Sequence, residues 1–522
     1  MSKKQIAGFV VISLLILFGC AREKRAGDTL YLRLLADLTT LDPALIVDVA
    51  GGSVGCKLFN GLVRYDREMN IIPDLATRWE ISPDNRSYTF YLREGVRFAN
   101  GGSLTAWDVK YSFQRVLAKE TRSPRTWVLD RIIGAKGFMN GEAEEVEGIK
   151  VTDDYTLCLT LREPFAPFLG FLAMPAGYIV SKEEVKRWGQ EFGRHAIGTG
   201  PFRLSEWRHG ERIVLTRNED YFDALPKVKK ICYRIIPEDL TAIAEFESGN
   251  IDLISIPSAE FERFLNNPEY NPYILSEAGL NVYYLGLNCE KEPFNRMAVR
   301  QAINYAIDKQ SILDTILKDR GILSCGPIPP SLPGHNQGLE PYPYDPVRAK
   351  ELLLKAGFKD GFEMTIYQKE SKEAQNLTEV FQAQLKQVGI RVKIVQREWS
   401  AFKEAINKGE PDSFYLAWIA DYPDAENFLA PLFHSKNLGP GGNRARFKDE
   451  EIDRLIQEAE GTVDDKKRIR LYNEIEGIIR ERAPWVFLWH LREYVVHQPW
   501  VKNLRLYPIY NADKGTEIEL AF

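Results

Sequence analysis

The chain is 522 residues long and 44% hydrophobic, which is enough for more than one core, because single cores stop growing at roughly 300 residues. Its formal charge is −5 at pH 7. A mildly acidic chain of this kind lacks the basic footprint that nucleic-acid binding requires, so nucleic acid is not an expected partner.

The first readable element is N-terminal. Lys3 and Lys4 precede an apolar run from Ile6 to Phe18, which ends at Gly19-Cys20 and the charged stretch Ala21-Arg22-Glu23-Lys24-Arg25. The run is too short to cross ~30 Å of hydrocarbon comfortably as a helix, and it reads as an export signal over residues 1–19. Leu17-Phe18-Gly19-Cys20 resembles a bacterial lipobox. The resemblance implies that Cys20 carries lipid as the first mature residue, with residues 20–26 as a tether; soluble release after ordinary secretion is the alternative. Several acyl chains together hold a protein stably on a membrane.

Beyond Cys20 the cysteines are Cys56, Cys158, Cys232, Cys289 and Cys325. Their odd number leaves at least one thiol unpaired in a monomer, and no CxxC spacing suggests a redox or zinc motif. Cys158 and Cys232 sit in apolar, strand-like surroundings and read as small buried hydrophobes.

Further along, Tyr88 to Arg93, Arg212 to Thr216 and Glu363 to Tyr367 alternate apolar and polar residues at the period of a half-buried strand. The spacing of Val299, Ala302, Ile303, Ala306 and Ile307 predicts one amphipathic helix over Asn295 to Leu317. A second helix is predicted over Pro346 to Ala356, closed by Gly357, and a third over Thr378 to Val388. Gly389 then leads into a strand from Ile390 to Val395. This helix–glycine–strand order is an α/β signature. By composition, Gly326 to Asp345 and Leu438 to Asn443 are surface loops.

Several segments together carry a family resemblance. Leu41-Asp42-Pro43 and Leu58 to Asp66 are followed by Pro73 to Ala76, Trp79-Glu80, Tyr88-Thr89-Phe90, Leu92 to Phe98 and Leu104 to Val109. Gly198-Thr199-Gly200-Pro201-Phe202, Pro293-Phe294, Val299 to Asp308 and Trp418 to Asp424 continue the series. In order and spacing this set resembles the family 5 extracellular solute-binding proteins, among them the dipeptide and oligopeptide binders. The resemblance implies an α/β, two-lobed periplasmic-binding-protein fold of class II type, with an extra subdomain in lobe one and lobes joined by two crossover strands. It places the crossovers near Asn281 to Leu287 and Val486 to Leu491. Lobe one then spans residues 27–280 plus 492–522, with its subdomain at about 56–180, and lobe two spans residues 281–491.

The same resemblance implies a substrate-binding lipoprotein of an ABC importer, which captures short peptides between its lobes and hands them to a permease and its ATPase. The protein is expected to be a monomer at the periplasm or cell surface, without cofactor or metal. Asp421 is expected to hold the ligand ammonium, because a charge-assisted bond away from water is strong. Trp418 and Trp399 are expected to wall side-chain pockets, which tolerates many side chains. Asp48 and Val49 are expected to meet the ligand through backbone groups. Where some oligopeptide binders carry an arginine, this chain has Tyr415, and Lys369 stands as a substitute partner for the ligand carboxylate.

Gly198 and Gly200 read as positions of unusual backbone conformation, and Arg300 and Asp308 as helix caps or pairs. A non-peptide solute such as a metal chelate or glycan, and a signalling-peptide receptor, remain alternatives. A secreted hydrolase is the alternative of another class. His195, His209, His335, His434, His490 and His497 show no HExxH spacing, and no GxSxG elbow or Walker-type glycine loop occurs; Asp421 and Asp424 are the carboxylate pair such an enzyme would use.

Overall fold

The computed structural model describes residues 27–522. The expected export signal and Cys20, the expected site of lipidation, lie outside the described residues. The first sheet runs in the order Thr29–Leu34, Lys230–Ile235, Arg212–Arg217 and Phe202–Arg208. Its first pair is parallel and the others are antiparallel. A second four-stranded sheet, Ala76–Ile81, Ser87–Leu92, Thr156–Thr160 and Ile149–Asp153, is antiparallel throughout. Tyr88, Phe90 and Leu92 alternate inward from it onto Val109, Phe113 and Val116 of the helix Ala106–Leu117, the pattern of a sheet with one buried face.

The largest sheet has eight strands, with Trp485–His497, Asn281–Leu287, Ser413–Ile419, Phe362–Lys369 and Ile390–Arg397 adjacent in that order. Trp485–His497 links separate cores. Trp485 and Phe487 pack with Tyr284, Val486 and Trp489 with Leu285, and Val496 with Phe246 and Phe264. At the crossing, Asn281 clasps Leu491 through two bonds, Nδ2 to the carbonyl at 2.9 Å and Oδ1 from the amide at 2.8 Å. Next to it, His490 Nδ1 lies 2.6 Å from the Asn281 carbonyl, and burial lowers its pKa to about 4.

Several sequence expectations need correcting. Asn295 to Leu317 is not one helix but two, Met297–Ala306 and Lys309–Thr315. Ile307 is extended, and the Asp308 carboxylate accepts the Ser311 amide at 3.1 Å, starting a new helix in place of continuing the old one. The helix predicted from Thr378 begins earlier and spans Lys372–Lys386, with Ser371 as its cap.

Gly198 and Gly200 lack positive φ; their reason is proximity. A Cβ on Gly198 would stand 2.2 Å from the Leu58 carbonyl oxygen, and one on Gly200 would stand 2.5 Å from the Lys57 oxygen. The loop from Gly326 is also anchored rather than simply superficial: Ile328 and Asn336 donate their amides to the fully buried Glu476 carboxylate at 3.0 and 2.7 Å. Helix Pro346–Lys355 and Gly357, at φ +88°, match the predicted stop. The thiols of Cys56, Cys158, Cys232, Cys289 and Cys325 are all free, and Cys232 is buried while Cys158 is only partly so.

Candidate functional site

Trp418 sits near the end of Ser413–Ile419, opposite Val282 of the neighbouring strand. Alternation sends Phe414, Leu416 and Trp418 to one side of this strand and Tyr415 to the other, where Tyr415 is buried with Phe381 and Trp489. The odd spacing between Tyr415 and Trp418 thus separates them by the thickness of the sheet. Burial pushes the Tyr415 phenol well above its usual range.

Beyond the strand, the chain turns and presents Asp421. One buried oxygen organises the turn: Asn427 Oδ1 accepts Trp418 Nε1 at 3.1 Å and the Asp421 amide at 3.0 Å. Asp424 has separate partners, since it caps the following turn through the Glu426 amide at 2.9 Å and accepts the Tyr472 hydroxyl at 3.0 Å. Asp421 and Asp424 therefore serve different partners.

The partner of Asp421 comes from the other part of the molecule. Arg125 follows the helix Ala106–Leu117 and is seated by Ser123, whose hydroxyl donates to the Ala44 carbonyl at 2.5 Å and accepts the Arg125 amide at 3.1 Å. The Arg125 guanidinium donates to the Ile46 carbonyl from Nε at 3.3 Å and to the Val47 carbonyl from Nη2 at 3.2 Å. The same Nη2 reaches Asp421 Oδ1 at 3.3 Å. Burial pushes the Asp421 carboxyl above the usual carboxylate range, and Arg125 opposes that shift.

The segment that Arg125 holds is the one expected to meet ligand. Asp48 spends its side chain on the Gly51 amide at 2.7 Å, capping the helix Val49–Leu58, while Val49 is exposed. Tyr510 closes this side. Its ring lies against Gly52, where an added Cβ would approach to 2.2 Å, and its carbonyl accepts the Ser53 hydroxyl at 3.2 Å. Burial raises the Tyr510 phenol, and the nearby Asp421 carboxylate raises it further.

The structure thus brings Asp421, Trp418 and the segment ending at Asp48 and Val49 to one junction. Arg125, Asn427 and Tyr510 join them there, and sequence reasoning missed all three. Asn427 had a signal, a polar residue six positions beyond Asp421 in a motif otherwise closing into an apolar run; Arg125 and Tyr510 are far away in sequence and had none.

Trp399 and Lys369 stand apart. Trp399 opens the helix Trp399–Lys408, is 46% exposed, and packs on Phe402 with ring centroids 6.0 Å apart. Lys369 is exposed at the end of its strand. Among the described residues, no hydrogen bond or ion pair ties either one to Asp421.

The junction also has apolar and charged contacts away from Asp421. Phe171 meets Tyr422 edge-on at 4.8 Å, Ala166 donates its amide to the Glu460 carbonyl at 2.9 Å, and Arg131 pairs with the Glu460 carboxylate at 3.0 Å.

The model of the bacterial extracellular solute-binding proteins, family 5 Middle, matches residues 70–440. Heme-binding protein A of Haemophilus influenzae is 31% identical over 91% of this chain and 90% of its own length. The dipeptide-binding protein of Escherichia coli is 31% identical over 87% of this chain and 86% of its own. Among solved structures, the ABC transporter-associated periplasmic binding protein DppA of Helicobacter pylori, in complex with the peptide STSA, superposes with a TM-score of 0.82. It is 31% identical and covers 94% of this chain and 98% of its own. The architecture is the two-lobed α/β fold of periplasmic binding proteins, and by its family match and its relatives along most of its length the chain belongs to the family 5 extracellular solute-binding proteins of bacteria.

Proposed function

We propose that this protein captures short peptides between its lobes and delivers them, unchanged, to an ABC permease. The observation that carries this reading is Asp421, a largely buried carboxylate at the lobe junction, offset by one arginine from the opposite lobe. A peptide ammonium is the natural cation for it, because shielding from water strengthens a charge-assisted bond. Relatives named for peptide binding, at about a third identity over most of the chain, support the choice of ligand class.

In this reading lobe one comprises residues 27–280 and 492–522 and lobe two residues 281–491. Trp418 walls a side-chain pocket beside Asp421, and Val49 and the backbone near Asp48 face the guest from lobe one. Trp399 and Lys369 belong to the outer reach of the site, while Tyr415 supports the strand from behind. The protein acts as a monomer, tethered to the membrane by lipid on Cys20.

Ligand bridging both lobes favours the closed state through its differential affinity for that state. The test compares a free-amine tripeptide with its N-acetylated form by calorimetric titration. Asp421→Ala is expected to weaken the free amine by about tenfold or more, the scale of a charge-assisted bond, and to leave the acetylated form nearly unchanged. Equal losses for both forms would remove Asp421 from this role.

A further inference from the structure

We infer that a cavity lined by Arg64, Lys514, Lys227 and Arg505 is a further binding site, which takes a phosphomonoester. It lies between the connection from Arg212–Arg217 to Lys230–Ile235 on one side and the C-terminal segment from Asn503 to Glu517 on the other. Its volume is about 540 Å³, the size of sites that hold small organic ligands. The lining carries these four cations against two carboxylates, Asp223 and Glu517, although the chain as a whole has a net charge of −5.

Two of the cations are internal. Lys514 is buried; its ammonium donates to the Phe59 carbonyl at 2.8 Å and lies 3.5 Å from the enclosed Asp74 carboxylate. Burial lowers its pKa and Asp74 opposes that shift, as any further anion nearby would. Arg64 stands 3.9 Å from the same carboxylate, too far for a hydrogen bond, and its buried Nε has no hydrogen-bond partner among the described residues. One carboxylate thus serves two cations, which leaves positive charge in excess and a buried donor unsatisfied at this end of the cavity. A buried donor in that condition is costly, and an anion that reaches it recovers the cost.

The other two cations stand at the rim. Lys227 pairs with Glu519 at 3.1 Å and Arg505 with Glu517 at 3.5 Å, and all four of these side chains are about half exposed. Surface pairs of this kind contribute little to stability, so either cation can turn to an incoming anion at small cost. A phosphomonoester fits such a setting because it carries about two negative charges and three acceptor oxygens, which several donors can meet from different directions. A carboxylate offers a single charge in one plane. Arginine forks suit phosphate oxygens, and Tyr507 and Thr516 add hydroxyl donors to the lining. The organic part of the ester takes up the rest of the volume.

The cavity is distinct from the site around Asp421. Tyr510 packs on Gly52 beside Asp48 and Val49, whereas Tyr507 and Lys514, three residues before it and four after it, line the cavity. One short segment therefore serves both places, and a peptide and a phosphomonoester can be held at the same time.

The test titrates glycerol 3-phosphate calorimetrically against the full chain, with succinate as a dianion that lacks phosphate. Saturable binding with a Kd below about 1 mM is expected, tighter than succinate by about tenfold or more. The double variant Lys227→Gln/Arg505→Gln changes only the exposed rim; it is expected to keep the wild-type Tm and to bind about tenfold or more weakly, the effect of losing charge-assisted hydrogen bonds. A parallel sedimentation arm compares vesicles of phosphatidic acid, a phosphomonoester, with vesicles of phosphatidylglycerol, a diester. Excess retention on phosphatidic acid that the double variant loses assigns the ligand to a lipid headgroup, and binding of glycerol 3-phosphate without that excess assigns it to a soluble ester. Failure of both probes, succinate binding as tightly as glycerol 3-phosphate, or undiminished binding by the double variant overturns the site.

Discussion

Asp421 and Asp424 are three residues apart in a single turn and serve different partners, because each carboxylate is claimed by whatever its backbone position brings near. Asp424 caps a turn and takes a tyrosine hydroxyl, whereas Asp421 faces the distant Arg125. The motif around Trp418 made Asp421 legible in the sequence; its counter-charge was not, since Arg125 lies almost 300 positions earlier. Tyr415 shows the opposite case. Its place in the chain suggested the site, but strand alternation turns it into the core with Phe381 and Trp489. At Gly200 the residue was singled out correctly for the wrong physical reason, as the backbone of Lys57 and Leu58 passes where a Cβ would stand. Gly200→Ala is therefore expected to destabilise by about 1–3 kcal/mol through overpacking. Urea unfolding checks this, and a loss below about 0.5 kcal/mol, the scatter of ordinary surface changes, would refute it.

At the scale of elements, strands were the most legible, because a period of two survives wherever one face is buried. Arg212–Arg217 and Phe362–Lys369 contain the segments whose alternation predicted them, and Ser87–Leu92 covers all of its segment, Tyr88 to Arg93, except Arg93. Helix boundaries were harder, because apolar spacing runs on across a break when both pieces pack on one core. Val299, Ala302, Ile303, Ala306, Ile307, Ile312 and Leu313 all enter the same cluster, yet two helices carry them. What divides them is local: Asp308 competes for the Ser311 amide at 3.1 Å. Asp308→Ala is expected to cost about 1 kcal/mol, the usual worth of an N-cap. Asp308→Asn should retain most of that, and equal losses for both substitutions in thermal unfolding would reject the capping role.

At the scale of the whole molecule, a titratable cluster gathers residues far apart in the chain, as Asp421 and Arg125 do. Glu426 is buried, takes the Tyr422 hydroxyl, and lies near Glu460, Asp424 and Arg131. Tyr472 and Arg468 lie on Asp424, and Tyr65 feels its charge. Burial, followed by the Glu460 charge, raises the Glu426 pKa from 4.5 to about 8. Unfolding hydrates the group and returns it to the ordinary value, so the native protein binds this proton more tightly than the unfolded chain. The associated stability is complete below about pH 4.5 and is lost as pH rises through about 8, at ~1.4 kcal/mol for each tenfold difference in proton affinity between the two states. Other acids titrate over the same range, so the informative quantity is the difference between the wild type and Glu426→Gln, whose amide is neutral at every pH. Scanning calorimetry is expected to show the Tm of Glu426→Gln, relative to wild type, rising steadily between about pH 5 and pH 8.5, as the wild type comes to bear a penalty the variant does not. A difference that stays flat across that window would mean that Glu426 is ionised in the native state and that Arg131, rather than a proton, neutralises the carboxylates of this cluster.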